Sequence, residues 1–422
     1  MRDPAPRLYD EAHRDRTRDG HELPPLGPLV CALGVAQIVS WGTLFYSIGV
    51  LGGAMRHDLG VSELFLFGAF TASLLVSGTL APAAGRLIDR CGGRFVLSAG
   101  SGLGAVALAL LAVAAGPATM VAGWLVAGAA MAACLYDPAF ATLSRHTGAR
   151  YRKAVTSLTL FGGFASTVFW PLSHLLMEAW GWRATLAIYA GLHLFLCLPL
   201  HLWFVPRFSR IARVGEVAVP MGDSPALGTA RLRWLTASFA LATFIFGVIA
   251  VHLVSLLSAA GLTPAQAVTV AMLVGPMQVA GRIVELGFSA RVRAITVGMV
   301  AFALMLLALV ALMRVDGFGI AAVVFVIAYG CGNGVLTIVK GTAPVELFGR
   351  EGLGSLLGHL SRAGLYAKAF APASFSALLT LGLTRNAALA SLAALALAGM
   401  ASYAMAIRAH ATPMAVARDG DR

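Results

Sequence analysis

The chain has 422 residues, 59% of them hydrophobic and 12% charged, with a mean hydropathy of +0.82. Soluble domains carry about 25% charged residues, so a water-soluble globule is excluded and much of the apolar surface must face lipid. The formal charge of +12 reads as arginines held in loops on one face of a membrane rather than as a nucleic-acid surface.

Residues 1–26 begin "MRDPAPRLYDEAHRDRTRDGHELPP" and mix both charge signs with prolines. They lack the apolar run that follows the basic stretch of a signal peptide, and read as a cytoplasmic tail. About 20 apolar residues cross the hydrocarbon as a helix. Six such spans are predicted at 27–54, 63–84, 95–115, 118–140, 153–177 and 184–205, making a first bundle over 27–206. A polar cytoplasmic linker, 207–232, follows. Six more spans at 233–257, 264–286, 294–313, 318–340, 357–382 and 386–408 make a second bundle over 233–409, before a cytoplasmic tail at 410–422.

The expected fold is an all-α membrane protein, with twelve transmembrane helices in two pseudo-symmetric six-helix bundles. With both termini cytoplasmic, the outer loops hold only Arg56, Arg183, Arg314 and Arg385 of the 31 Lys and Arg. That asymmetry is what the positive-inside rule demands, and it places the protein in the inner (plasma) membrane. The halves also echo one another. "GVSELF" and "GLTPAQ" open spans two and eight with helix-start signals, and "GRLID" of the first half aligns with "GRIVE" of the second. Repeats of this kind suit transporters whose substrate site lies at the repeat interface.

Between spans two and three, "GRLIDRCGGR" resembles the signature of the major facilitator superfamily, roughly G-x-L-x-D-R-x-G-R-[RK]. Gly85, Leu87, Asp89, Arg90, Gly92 and Arg94 match, while Gly93 stands where the family has the first of two closing basic residues. The resemblance implies the superfamily fold and a cytoplasmic gate built from Gly85, Asp89, Arg90 and Arg94, with Glu285 as the counterpart in the second half. In that gate Asp89 caps a neighbouring helix terminus or pairs with an arginine. The alternative is a set of topology anchors in a tight turn.

A narrower likeness is to monocarboxylate-porter-like branches, carried by "YRKAVTSLTLFGGFASTVFWPL" and "GWR" at Gly181–Arg183. Their acid–arginine pair of span eight would fall on Gln278 and Arg282, so the arginine is present and the acid is not. The span-five signature of drug–proton antiporters is not matched.

A charge inside the hydrocarbon costs enough that each intramembrane polar residue becomes a site candidate. Arg282 is either a fork for an anionic substrate or the gate partner of Glu285. Asp137 in "CLYDPAF" suits a proton carrier, or a cap or partner for Arg145. His359, Arg362 and Tyr366 share a face of span eleven, and Lys368 lies deeper in the same span. His252 is a second proton-coupling candidate or a packed residue of span seven. Asn333, among glycines that permit close helix packing, and Gln37, Trp41 and Tyr46 of span one complete the substrate candidates. Spans one, four, seven and ten surround the pathway in the family.

The five cysteines, Cys31, Cys91, Cys134, Cys197 and Cys331, form no CxxC pair, so no disulfide framework or zinc site is expected. Cys134 and Cys331 would be symmetry mates. Converging thiols suit a soft metal or trivalent arsenical, whereas a buried cysteine is ordinarily a small apolar residue. No metal or other cofactor is expected.

No GxxxxGK[ST] phosphate loop is present. The expected function is therefore secondary active transport by alternating access. It is coupled to protons, leans to a small organic anion such as a monocarboxylate, and is carried out by a monomer in the lipid bilayer. Efflux of a small toxic or drug-like compound, trivalent metalloid included, is the alternative. A membrane-embedded enzyme is a distant third, because the acids are isolated and no catalytic constellation is seen.

Overall fold

The computed structural model describes residues 26–207 and 226–411. Most of the expected N-terminal tail and linker, and the end of the C-terminal tail, lie outside the described residues. Within the described residues all regular structure is helical. Ten helices are long and apolar enough to cross a membrane. One of them, Gly148–Phe204, has 57 residues and turns back at Gly181 (φ 77), so it supplies spans five and six. Leu353–Thr380 is long enough to be span eleven but carries His359, Arg362 and Lys368. Among the described residues the count is thus the expected twelve.

The caps follow the sequence signals. Ser62 accepts from the N–H of Phe65 at the start of span two, Glu63–Cys91. Thr263 and Gln266 form a capping box, with Pro264 in the first helical position, at the start of span eight, Pro264–Phe288. Both devices satisfy N–H groups that a helix start leaves unpaired.

Several spans run longer than expected at one end. Span two continues to Cys91, span four to His146 and span ten, Ile320–Phe348, to Phe348. Most of the "GRLIDRCGGR" stretch, expected between spans two and three, is therefore the last two turns of a helix, and the turn itself shrinks to Gly92 (φ 81). Gly93, the departure from the family signature, has a packing reason: a Cβ there would overlap the hydroxyl of Thr142.

Two spans are interrupted where the pathway is expected. Span one runs as Leu26–Trp41, widens to a π-helical turn over Gly42–Tyr46 and resumes at Ile48–Leu59. Span four breaks at Leu135 (ψ −160), between Pro117–Cys134 and Tyr136–His146. Pro138 explains the break: it has no N–H for the carbonyl of Cys134 four residues back. Gln37 satisfies that carbonyl instead, its Nε2 donating at 2.8 Å.

Spans eight and ten pack closely through Gly281, Gly330 and Gly334, where a Cβ would press on Cys331, Met277 and Gln278. The first half has its own apolar core around Trp124, Phe169 and Tyr189. The core of the second half is continuous with Ile88, Phe140, Tyr151 and Leu158 of the first, so the halves share an interior at one end.

Candidate functional site

Two backbones touch where the halves meet. A Cβ on Gly85 of span two would fall on the carbonyl of Gly354 in span eleven, and one on Gly354 would meet the carbonyl of Gly85. That approach brings the Asp89 carboxylate onto the first turn of span eleven. It accepts the N–H of Gly354 at 3.0 Å and of Ser355 at 2.7 Å. A carboxylate at a helix N-terminus meets both free N–H groups and the positive end of the macrodipole. Arg145 donates to the main-chain oxygen of Asp89, steadying the same turn.

Glu285 occupies the equivalent place in the second half. Its target is span five, which begins at Tyr151, but it is bound by side chains: Arg152 at 2.7 Å and the hydroxyl of Thr156 at 2.7 Å. Arg152 also donates to the carbonyl of Val292. Three more ties cross at this end. Tyr151 donates to the carbonyl of Gly341 at 2.9 Å, and Arg350 to those of Ser144 and Gly148. Lys340 of span ten meets Asp137 of span four at 3.0 Å and the hydroxyl of Ser361 at 2.8 Å; Ser361 in turn donates to Asp137. At the opposite end, the side-chain bonds among the described residues stay inside one half: Arg183 with Asp58 and Ala114, Arg385 with Leu312 and Val315, His252 with Pro372.

Above the ties, towards the middle of the bundle, cations meet aromatic rings. Arg282 is 4% exposed. Its guanidinium donates to the carbonyl of Thr159 in span five at 2.8 Å and lies 3.4 Å from that of Gly334 in span ten. Among the described residues no carboxylate lies within ion-pair distance of it, because Glu285 is taken by Arg152. Tyr136 shares the Thr159 carbonyl at 3.5 Å and its ring lies 5.2 Å from that of Trp41. Trp41 continues to Phe45 and Tyr46, and Tyr46 to Trp170. The indole N–H of Trp41 is buried without a partner. Lys368 places its Nζ 3.9 Å from the ring of Phe45 and 4.8 Å from that of Phe246. Cation–π contacts compensate only part of the loss of water. The ensemble offers donors and positive charge, with apolar rings between them.

The family model described as Major Facilitator Superfamily matches residues 33–372. The chain belongs to the major facilitator superfamily. Solved structures of the superfamily have the same fold. The human organic anion transporter MFSD10 is 16% identical, with a TM-score of 0.68 over 90% of this chain and 100% of that one. The Escherichia coli fucose:proton symporter FucP is 12% identical, with a TM-score of 0.67 over 90% and 97%. A structure of FucP in the outward conformation gives 11% and 0.70 over 91% and 99%. No curated protein sequence matches the chain.

Against this superfamily frame, the sequence candidates divide. Arg282, Trp41, Tyr46 and Lys368 are brought together by the aromatic run. Gln278 and Asn333 are half-buried on the two spans, eight and ten, that flank Arg282. Gln37 is fully buried against Cys134 inside the first half, so it serves the span-four break rather than a cavity. Tyr366 bonds the hydroxyl of Thr79 across the seam at 2.8 Å and, with His359 and Arg362, lines a lateral cleft of about 600 Å³ beside span seven. His252 is packed on Phe375 and the carbonyl of Pro372. Asp137 does not pair with Arg145; its partner is Lys340. Nor does Glu285 pair with Arg282. Among the described residues Arg90 and Arg94 make no side-chain bond across the seam. Cys134 sits in the core of the first half, while Cys331 donates to Met277 in the second, so the two thiols do not share a contact.

Sequence reading missed Lys340, Arg152, Tyr136 and Trp170. Lys340 had a signal: a lone lysine closing the apolar run of span ten. Tyr136 had none, because its place depends on the span-four break.

Proposed function

We propose that the protein is a secondary active transporter for a small organic anion, working by alternating access between its two halves. The observation that carries this reading is Arg282, a buried cation held by carbonyls and without a carboxylate. A charge at the bilayer centre costs roughly 2.5–3.5 kcal/mol, and an anion that completes the guanidinium fork recovers part of that. The unpartnered indole N–H of Trp41 asks for an acceptor as well, and the rings beside it suit an apolar substrate body.

With both termini on the cytoplasmic side, the tied end is the cytoplasmic gate, and the substrate enters from outside. Arg282 belongs to gate and site at once, because its bond to Thr159 crosses the seam. An anion that draws the guanidinium away loosens a tie, and so couples binding to opening. Asp137 is the candidate proton carrier: protonating it weakens its hold on Lys340 and favours the same opening.

A panel of lactate, benzoate, succinate, neutral sugars and organic cations, tested by thermal shift on the purified protein, separates substrate classes, since a ligand of the native state raises the midpoint. Stabilisation by anions alone supports the reading. Stabilisation by cations or sugars and by no anion rejects it.

A further inference from the structure

A second polar cavity lies beyond the ties, at the end of the bundle where spans four, five, eight, nine and ten finish or begin. It has a volume of about 360 Å³, near the lower bound for pockets that hold small ligands, about 300 Å³. Its walls are residues 149, 151 and 152 of the first half, and 289–294, 342, 345, 346 and 350 of the second.

Four arginines line it: Arg152, Arg291, Arg293 and Arg350. Glu346 is the single acid in the lining, and it is already taken by Arg293 at 2.6 Å and the N–H of Ile295 at 3.1 Å. Arg152 is matched by Glu285. Arg350 reaches only carbonyls and the ring of Tyr151, and Arg291 has no side-chain partner among the described residues. Two guanidinium charges are therefore left without a carboxylate inside one cleft. Arginines that serve only as topology anchors have no need to converge from three loops of two halves.

We infer that this cleft binds a phosphate-bearing anion, and that its occupancy holds the halves together at the tied end. Guanidinium forks match phosphate oxygens in pairs, and basic pockets between transmembrane helices on the cytoplasmic side receive anionic lipid head groups. The cleft exists only while the halves are joined, because the residues that line it also make the ties. A ligand with higher affinity for one state shifts the protein towards that state. The anion thus acts as a brake on opening at this end, independently of what is carried.

The test uses the full chain in nanodiscs, with Cys31 and Cys91 changed to serine and Ser355→Cys introduced. Ser355 is 2% exposed at the seam, so maleimide labelling there reports opening. Three conditions are compared: phosphatidylcholine alone, phosphatidylcholine with about one-fifth phosphatidylglycerol, and phosphatidylcholine with inorganic pyrophosphate. Phosphatidylglycerol or pyrophosphate is expected to slow labelling by at least about threefold, and the slowing disappears in the Arg291→Gln, Arg350→Gln double variant. An effect of the lipid alone names a head group as the ligand; an effect of pyrophosphate names a soluble anion. Each variant is compared with itself, with and without the anion, so a gate loosened by Arg350→Gln still reads. If neither anion slows labelling, or the double variant retains the slowing, the cleft is not such a site.

Discussion

Arg282 of span eight donates to the carbonyl of Thr159 in span five at 2.8 Å, while the carboxylate three residues further on, Glu285, is held by Arg152. The two charges that the "GRIVE" repeat places side by side thus face different partners. Glu285 closes the seam with a salt bridge. Arg282 closes it with a neutral acceptor, which an anion can displace.

The Asp89 tie is testable alone. Asp89→Asn removes the charge from two hydrogen bonds to a helix start, worth about 1–2 kcal/mol together, or roughly a 5–30-fold change in the balance of states. Spin labels at Arg90 and Glu351, both exposed, read the separation at the tied end by double electron–electron resonance. A longer-distance population is expected to grow, and an unchanged distribution contradicts a closing role for Asp89.

Gly85→Ala acts on the same contact by bulk. Its Cβ would fall on the carbonyl of Gly354, so spans two and eleven cannot approach as they do here. The contact lies between halves rather than within one, so the variant is expected to fold and run as a monodisperse species. The same label pair should then sit at the longer separation, and wild-type closure in Gly85→Ala would rule out backbone contact as the seam.

Much of this was legible in the sequence. Hydropathy and arginine placement gave twelve spans, and the capping signals at Ser62 and Thr263 are both in place. The signature residues Gly85 and Asp89 lie at the seam that the family resemblance implies. The pairings were not legible. Asp137 and Lys340 are 203 positions apart, and nothing in either segment names the other. Gln37 looked like a cavity residue by helical face, but the carbonyl freed by Pro138 claimed it. Periodicity gives the face of a helix; the break in the next helix decides what that face meets.

The Asp137–Lys340 pair lends itself to a double-mutant cycle. Removing either partner leaves a half-buried charge without its counter-ion, so Asp137→Ala or Lys340→Ala alone should lower the thermal midpoint in the tied state. A single loss of about 1–3 kcal/mol is expected. The double variant should recover part of it, with a coupling of about 0.5–3 kcal/mol. Strict additivity would show that the two charges do not interact.

Trp41→Phe keeps the ring and deletes the unpartnered indole N–H. A buried donor without an acceptor costs about 1–3 kcal/mol, so the ligand-free protein should be as stable as wild type or more so. Affinity for an anionic ligand should fall roughly 10–150-fold, the worth of one hydrogen bond to a charged group, about 1.5–3 kcal/mol. A variant that is less stable and binds as well as wild type would assign the N–H to packing alone.

The most direct test of the anion reading is counterflow in proteoliposomes, using whichever carboxylate stabilises the purified protein, with wild type and Arg282→Gln side by side. Wild type is expected to show saturable exchange, and the variant an apparent affinity at least about 30-fold weaker, as for the loss of one partner of a desolvated charge pair. Equal apparent affinity for the same anion in Arg282→Gln would contradict the anion reading.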